Sequence, residues 1–452
     1  MKRKLSSAIS LILCICFCVM LTACGNKNTT AKNKNKNLVY YLNFKPESAE
    51  IYEELAKKYE AEKGVKVKVV TAAANTYEQT LKSEIAKADA PTIFQVNGPI
   101  GYNSWKDYCL DIKDSKLYSF LSDKSLSIKD GDGVYAVPYV VEGYGIIYNN
   151  AVMDKYFELK DRQKTVNAVS EIKNFGTLKT VVEDMTKHKK ELGIDGVFAA
   201  TSLSSGEDWR WQTHLLNIPL YYEYSNNPDK DPTLALLDAK NIQFKYAEKY
   251  KNIFDLYINN STISKKLLGS KSVADSMAEF ALGKAAMVQN GNWAWSQISG
   301  VKGNKVKESD IKMMPIYTGI DGEEKQGIAV GTENYFAVNK NVSREKQQAS
   351  LDFLEWLFSS ETGKKYVTEK LGFITPFGTF SDDEKPHDPL ALEISKDLAN
   401  GDTKATPWVF TAFPSENFKK ETGSALLDYV QGEKDWNKVI ETIKNKWKSE
   451  RE

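Results

Sequence analysis

Cysteine is nearly missing from the part of this chain that folds. Five cysteines occur in 452 residues: Cys14, Cys16 and Cys18 lie in an N-terminal apolar run, Cys24 closes that run, and Cys109 alone remains for the body. An internal disulfide framework and a multi-cysteine metal site are therefore excluded. Histidine is scarcer still, with His188, His214 and His387 far apart in sequence, so no metal site and no cofactor is expected. An excess of one charge is also lacking: 61 Lys+Arg stand against 60 Asp+Glu, a formal net charge of +1. A nucleic-acid binder carries a basic excess, so nucleic acid is not an expected partner. Enzyme signatures are missing too. There is no G-x-S-x-G, no H-E-x-x-H and no P-loop, and Gly98–Gly101 lacks the spacing of a dinucleotide fingerprint. Beyond residue 37 no long apolar segment occurs, so the body has nothing with which to span a membrane.

What is present begins at the N-terminus. Lys2, Arg3 and Lys4 precede an apolar stretch, Ala8 to Met20, interrupted only by Ser10. That is the length of a signal-peptide core and short for a spanning helix. It ends in Leu21-Thr22-Ala23-Cys24-Gly25, which resembles the bacterial lipobox. The resemblance implies a signal peptide over 1–23 and lipidation (palmitate among the acyl chains) at Cys24, which anchors the chain on the extracytoplasmic face of the cell membrane; two or more acyl chains anchor stably where one does not. Residues 24–37 hold no large apolar side chain after Cys24 and read as a disordered tether.

The body alternates strand and helix signals, and at roughly 100–200 residues per domain its length suits two or three domains. Leu38–Leu42 is a short β-rich run; Ile51, Tyr52, Leu55, Ala56 and Tyr59 recur at helical spacing before Gly64; Val65–Val70 alternates as a strand; Tyr77, Leu81 and Ile85 stripe a helix; Thr92–Val96 is a strand. This β-α-β-α-β start predicts an α/β fold around an open, mostly parallel sheet, with ligand beyond the carboxyl ends of the strands. Further on, Leu178, Val181, Val182 and Met185 stripe a helix closed by Gly193, and Phe244–Ile258 is helical. Gly196–Ala200, Ala285–Gln289, Ile311–Ile316 and Tyr335–Val338 read as strands, and Trp436 to Trp447 stripes the last helix. Leu216–Asp238, rich in Tyr, Asn, Pro and Asp, reads as an irregular insert. No internal repeat and no local domain boundary follows residue 37.

Aromatic residues beside polar ones stand out: Asp208-Trp209-Arg210-Trp211, Gly291-Asn292-Trp293-Ala294-Trp295 and Glu333-Asn334-Tyr335. Sugars present apolar C–H faces and a rim of hydroxyls, which suit a flat aromatic surface flanked by carboxylate, amide and guanidinium groups. Each tryptophan alone could equally cap a lobe core.

The layout resembles the extracellular solute-binding proteins of bacterial carbohydrate ABC transporters, the maltose-binding-protein group. Ala285–Trp295 is similar to that group's strand-then-turn motif, with Trp293 at the sugar-stacking position; the maltose-type motif has proline where this chain has Asn292. Val137–Asn149 resembles the first inter-lobe crossing, with Glu142 matching a carboxylate that faces sugar. Pro91–Gly98 resembles the strand that delivers a polar loop into the cleft, and Leu371–Pro376 a segment late in such chains. The resemblance implies a two-lobe periplasmic-binding-protein-like fold with a ligand cleft between lobes. The expected division is 38–139 with 331–377 as lobe one and 140–330 with 378–452 as lobe two. It implies binding of a sugar, an oligosaccharide, for delivery to the permease subunits of an ABC transporter, without catalysis. An extracellular glycoside hydrolase with a carboxylate pair, or a sugar-sensing lipoprotein, is the alternative. The candidate ligand-binding residues are Trp293, Glu142, Asn97, Asn43, Asp208, Trp209, Trp211, Glu333 and Tyr335.

Overall fold

The computed structural model describes residues 37–73, 76–226 and 230–452. Cys24, the signal-type segment before it and the tether through residue 36 lie outside the described residues. Twelve strands are described: β1 (Asn37–Asn43), β2 (Lys66–Thr71), β3 (Ile93–Asn97), β4 (Ile128–Asp130), β5 (Gly133–Pro138), β6 (Glu142–Asn149), β7 (Gly196–Phe198), β8 (Ala285–Gly291), β9 (Ile311–Met314), β10 (Gln326–Gly331), β11 (Asn334–Val338) and β12 (Lys404–Thr406). They form two sheets. The first has the order β2-β1-β3-β11-β5-β4; the second has the order β12-β10-β6-β8-β7, with β9 also on β6.

In the first sheet β1 runs parallel to β2 and β3, the pairing that a β-α-β-α-β start requires, but neither sheet is mostly parallel as expected: β11 runs antiparallel to β3 and β5, and β6 antiparallel to β8, β9 and β10. The β1 residues explain why both faces are covered. Val39 and Tyr41 join a core with Tyr52, Leu55 and Tyr59 of the helix Ala49–Lys63 and Phe353, Leu354 and Leu357 of the helix Arg344–Ser359. Tyr40 and Leu42, alternating with them, join Tyr77, Leu81, Phe94 and Tyr102 on the other face. The second sheet is covered likewise. Tyr144 and Ile146 of β6 pack with Phe254, Leu426 and Trp447, while Ile147 packs with Phe280, Ile298 and Leu390 on the opposite face.

The chain passes between sheets at short extended links. β5 of the first sheet leads through Tyr139–Val141 into β6 of the second, and β10 of the second returns through Thr332 and Glu333 into β11 of the first. A third passage lies beside the first, where the Val141 N–H donates to the Ile374 carbonyl at 2.7 Å.

The stretch read as an irregular insert is helical. The helix Leu216–Tyr224 continues directly from a π-helical turn, Arg210–Leu215, and a further short helix spans Pro232–Leu237. The composition of the stretch argued against helix, and Pro219 within it offers no N–H to a helical ladder. Here the His214 carbonyl, five residues before it, accepts the Tyr144 hydroxyl at 3.0 Å instead. The carbonyls of Arg210 and Trp211 likewise accept the Gln289 amide and the Tyr250 hydroxyl, each at 2.9 Å. Tertiary donors thus supplement a widened ladder, in which the Trp211 carbonyl also accepts the Leu216 N–H five residues on. The second helix starts at Asp231, whose carboxylate accepts from the Thr233 and Leu234 N–H groups, with Pro232 at the first helical position.

Candidate functional site

The site is built where the strand ends of the first sheet meet the start of β6 and the end of β8. Asn43 closes β1, and the turn behind it carries Lys45. The Lys45 ammonium donates to Glu142 Oε1 at 2.8 Å, with both side chains more than nine-tenths buried. Glu142 opens β6, so this ion pair joins an element of the first sheet to one of the second. Burial pushes the Glu142 carboxyl upward and Lys45 pulls against it. Burial opposes the charge on Lys45, yet Glu142 and Glu47 hold its pKa above the ordinary range. Glu333, on the link into β11, is half-buried; its carboxyl is raised by burial and held down in part by Lys419 and Lys45. Charge of both signs is thus paired along one wall.

The other wall is aromatic. Trp293 follows β8 and is half-buried. Its ring lies 6.0 Å from Trp209, 5.6 Å from His214 and 6.4 Å from Trp408, with Lys45 Nζ 5.8 Å from its centroid. His214 stacks on Tyr144 at 4.2 Å with the rings 6° apart. Glycine at 291 is a steric requirement, because a Cβ there would stand 2.1 Å from the Trp293 ring. Gly98, with φ +61° and a would-be Cβ 2.8 Å from Thr411, likewise lets the helix Gly98–Trp105 approach the Val409–Ala412 turn of the other lobe.

Several polar atoms in this region are buried without a protein partner: Asn97 Oδ1, His214 Nδ1, Gln289 Oε1 and all three guanidinium nitrogens of Arg210. Buried polar groups are almost always satisfied, so such a concentration marks a place prepared for something else. Arg210 lies flat on Trp209, its guanidinium carbon 3.8 Å from the ring centroid. Burial draws its pKa down to about 9, against weaker opposing pulls from Glu207 and Glu47. His214 is held well below its ordinary range by burial and then by Arg210, Lys419 and Lys45, so its imidazole is neutral.

The residues singled out from the sequence separate into two groups. Trp293, Trp209, Glu142, Glu333 and Asn97 come together at this junction. Asp208 is buried beside Gly423, its carboxyl raised to about 6 by burial. Trp211 faces away from the junction: it packs on Phe254 and Tyr257 and donates its indole N–H to the Ser202 carbonyl at 2.9 Å. Tyr335 lies in the core of the first lobe. The Asn43 amide is engaged locally, donating to the Lys45 carbonyl, Ser48 and Thr71 and accepting from Tyr41 and the Lys45 N–H. Lys45, His214, Trp408 and Lys419 did not stand out in the sequence, and Arg210 did so only as part of the Asp208–Trp211 cluster, not as a candidate in its own right. Among the described residues no group of three or more His, Cys, Asp or Glu could hold a metal ion. No described helix is long and apolar enough to cross a membrane.

The family described as bacterial extracellular solute-binding protein matches residues 54–393. Among solved structures, the solute-binding protein RafE in complex with raffinose aligns at 16% identity over 92% of this chain and 99% of that chain, with a TM-score of 0.68. RafE from Streptococcus pneumoniae in its apo form aligns at 0.63, also with 16% identity, over 92% and 98% of the two chains. A chitin oligosaccharide binding protein aligns at 17% identity over 91% and 98% with a TM-score of 0.68. A Bacillus licheniformis sugar transporter in complex with stachyose aligns at 18% identity over 91% and 100%, with a TM-score of 0.64. These likenesses establish the two-lobe, periplasmic-binding-protein-like α/β fold. No curated protein matches the chain.

Proposed function

The chain belongs to the bacterial extracellular solute-binding protein family, and we propose that it captures an oligosaccharide between its lobes and delivers it to the permease of an ABC importer. The observation that carries this reading is the half-buried Trp209 and Trp293, set among the unspent polar atoms of Asn97, Arg210, His214 and Gln289. Indole faces suit sugar C–H faces, and the polar atoms suit a hydroxyl rim. RafE, the chitin oligosaccharide binding protein and the stachyose-bound transporter carry such ligands, which supports the same class here.

In this reading Trp293 and Trp209 stack sugar rings, Glu142, Glu333 and Asn97 contact hydroxyls, and Asp208 braces the wall behind Trp209. Asn43, Trp211 and Tyr335 act through the loop and cores that position them. Lobe one is taken as 38–139 with 331–377, and lobe two as 140–330 with 378–452. The protein makes and breaks no bond; ligand favours the closed arrangement of the lobes by touching both. The signal peptide over 1–23, the lipid on Cys24 and the tether over 24–37 place the lobes at the outer face of the cell membrane.

Tryptophan fluorescence titration over a panel of oligosaccharides, followed by small-angle scattering with the saturating sugar, tests the reading. The expected result is saturable quenching or enhancement, intact sugar recovered afterwards, and a smaller radius of gyration with an unchanged circular dichroism spectrum. Cleavage products, or no response to any sugar, would overturn it.

A further inference from the structure

Arg210 carries a charge that the neutral-sugar picture leaves unused. It is 2% exposed, and Nε, Nη1 and Nη2 all lack a hydrogen-bond partner. Among the described residues it takes part in no salt bridge, whereas Lys45 has Glu142 and Lys419 has Glu416. One face of its guanidinium is covered by Trp209, which leaves the edge with its fork of N–H donors. Its backbone is fixed by the Gln289 amide on the Arg210 carbonyl. The side chain is therefore held in place, desolvated and not neutralised. The nearest acids act on it only at a distance, Glu207 and Glu47 being the opposing charges it feels. Glu207 is already engaged, its carboxylate accepting from the Val273 N–H at 3.0 Å.

A hydroxyl could accept from one or two of these donors but would leave the buried charge without a counterion. A carboxylate accepts bidentately and brings the missing negative charge. We propose that the ligand is an acidic oligosaccharide, one of whose sugar carboxylates is received by the Arg210 fork beside Trp209. This rests on the sugar-capture reading above and narrows it to a ligand class. The remaining acids of the wall do not oppose such a ligand strongly, because Glu142 and Glu333 face Lys45 and Lys419.

The test uses the lipid-free chain and three matched pairs: oligogalacturonates and their carboxyl-reduced forms, glucuronate-branched and unbranched xylo-oligosaccharides, and sialyllactose and lactose. Neutral raffinose, stachyose and chitin oligosaccharides are added. Wild type should bind the acid of at least one pair more tightly than its neutral partner by about tenfold or more, with affinity falling as salt rises. Arg210→Gln should bring the two within about threefold, and Arg210→Lys should restore only part of the difference, since a point charge lacks the fork. Arg210→Gln should not lower the melting temperature, because the guanidinium makes no hydrogen bond to the protein and the loss of its contact with Trp209 is offset by removal of an uncompensated buried charge. Equal affinity within every pair, or an acid preference that Arg210→Gln leaves unchanged, would overturn this inference and leave sugar capture standing. Lowered melting temperature with unchanged selectivity would show that Arg210 is structural. No binding of any sugar would remove both readings.

Discussion

Glu142→Gln isolates the ion pair that joins the two lobes. The Lys45 ammonium and the Glu142 carboxylate stand 2.8 Å apart with side-chain exposures of 9% and 4%. At an effective dielectric of about 20, that separation corresponds to about 6 kcal/mol of attraction. Much of it offsets the withdrawal of both charges from water, so the pair is close to neutral for stability as a whole. Removing one partner is different, because it leaves the other charge buried and uncompensated at a cost of about 3–5 kcal/mol. Glu47 moderates the loss. Its carboxylate is 3.9 Å from the same ammonium but 35% exposed, and a pair so screened contributes about 0–1 kcal/mol. Glu142→Gln should therefore destabilise the fold by about 2–4 kcal/mol in urea unfolding at neutral pH. Lys45→Met should also destabilise, and more so as pH rises. The Glu142 carboxyl is already raised by burial; without its cation it rises further, and a group whose folded pKa exceeds its unfolded value loses stability as pH climbs through that window. The double variant should be more stable than the sum of the two losses implies, by about 2 kcal/mol. Additivity within about 0.5 kcal/mol would refute the reasoning, since it would mean the two charges do not feel each other.

Trp293→Ala should weaken sugar binding by about 1–3 kcal/mol, which is about fivefold to 150-fold in the dissociation constant; a lowered melting temperature with unchanged affinity would make the ring a core element instead. Asp208 has a carboxyl raised to about 6 by burial, so the folded state holds its proton over a range where the unfolded chain has released it. Wild-type stability from this group therefore falls as pH rises from about 4 through about 6, and Asp208→Asn, which cannot ionise, should gain on wild type by about 1–3 kcal/mol between pH 4 and 7. A pH-independent difference between the two would contradict that. Cys24→Ala should abolish membrane retention and change the mature mass; a variant retained with the same mass would end the lipoprotein reading.

The periodic elements were legible because both faces of each sheet are covered. Strands such as Ala285–Gly291, buried along their whole length, open on an apolar run, here Ala285–Val288, and helices ending at Gly64 and Gly193 carry left-handed caps that only glycine adopts freely. The junction was legible in two of its tryptophans and in Glu142, Glu333 and Asn97, but not in the cations set against the acids. Trp293 announced itself through the residues around it, but Trp209 and Trp211 looked alike in sequence. Two residues apart on a helical turn, they point to different faces: one stays half-exposed at the junction and the other enters the core. Lys45 reads as an ordinary surface lysine before a proline. Its burial becomes visible only when Glu142, 97 positions later, is brought to it. Trp408 and Lys419 likewise arrive from the far end of the chain. The Leu216–Asp238 stretch misled because its Tyr, Asn, Pro and Asp content was weighed without tertiary donors such as the Tyr144 hydroxyl on the His214 carbonyl.

The wide turn over Arg210–Leu215 carries a consequence for how this wall can change over generations. A π turn holds one residue more than the α turn it replaces. Loss of a single codon within it would close the ladder and swing everything on its N-terminal side, Trp209 included, by about 100° around the helix axis. The Gln289, Tyr250 and Tyr144 donors that now occupy the opened carbonyls would lose their acceptors together. The place that Trp209 takes at this junction can thus jump by a reading-frame-preserving deletion or insertion, where a single substitution would leave the turn as it is.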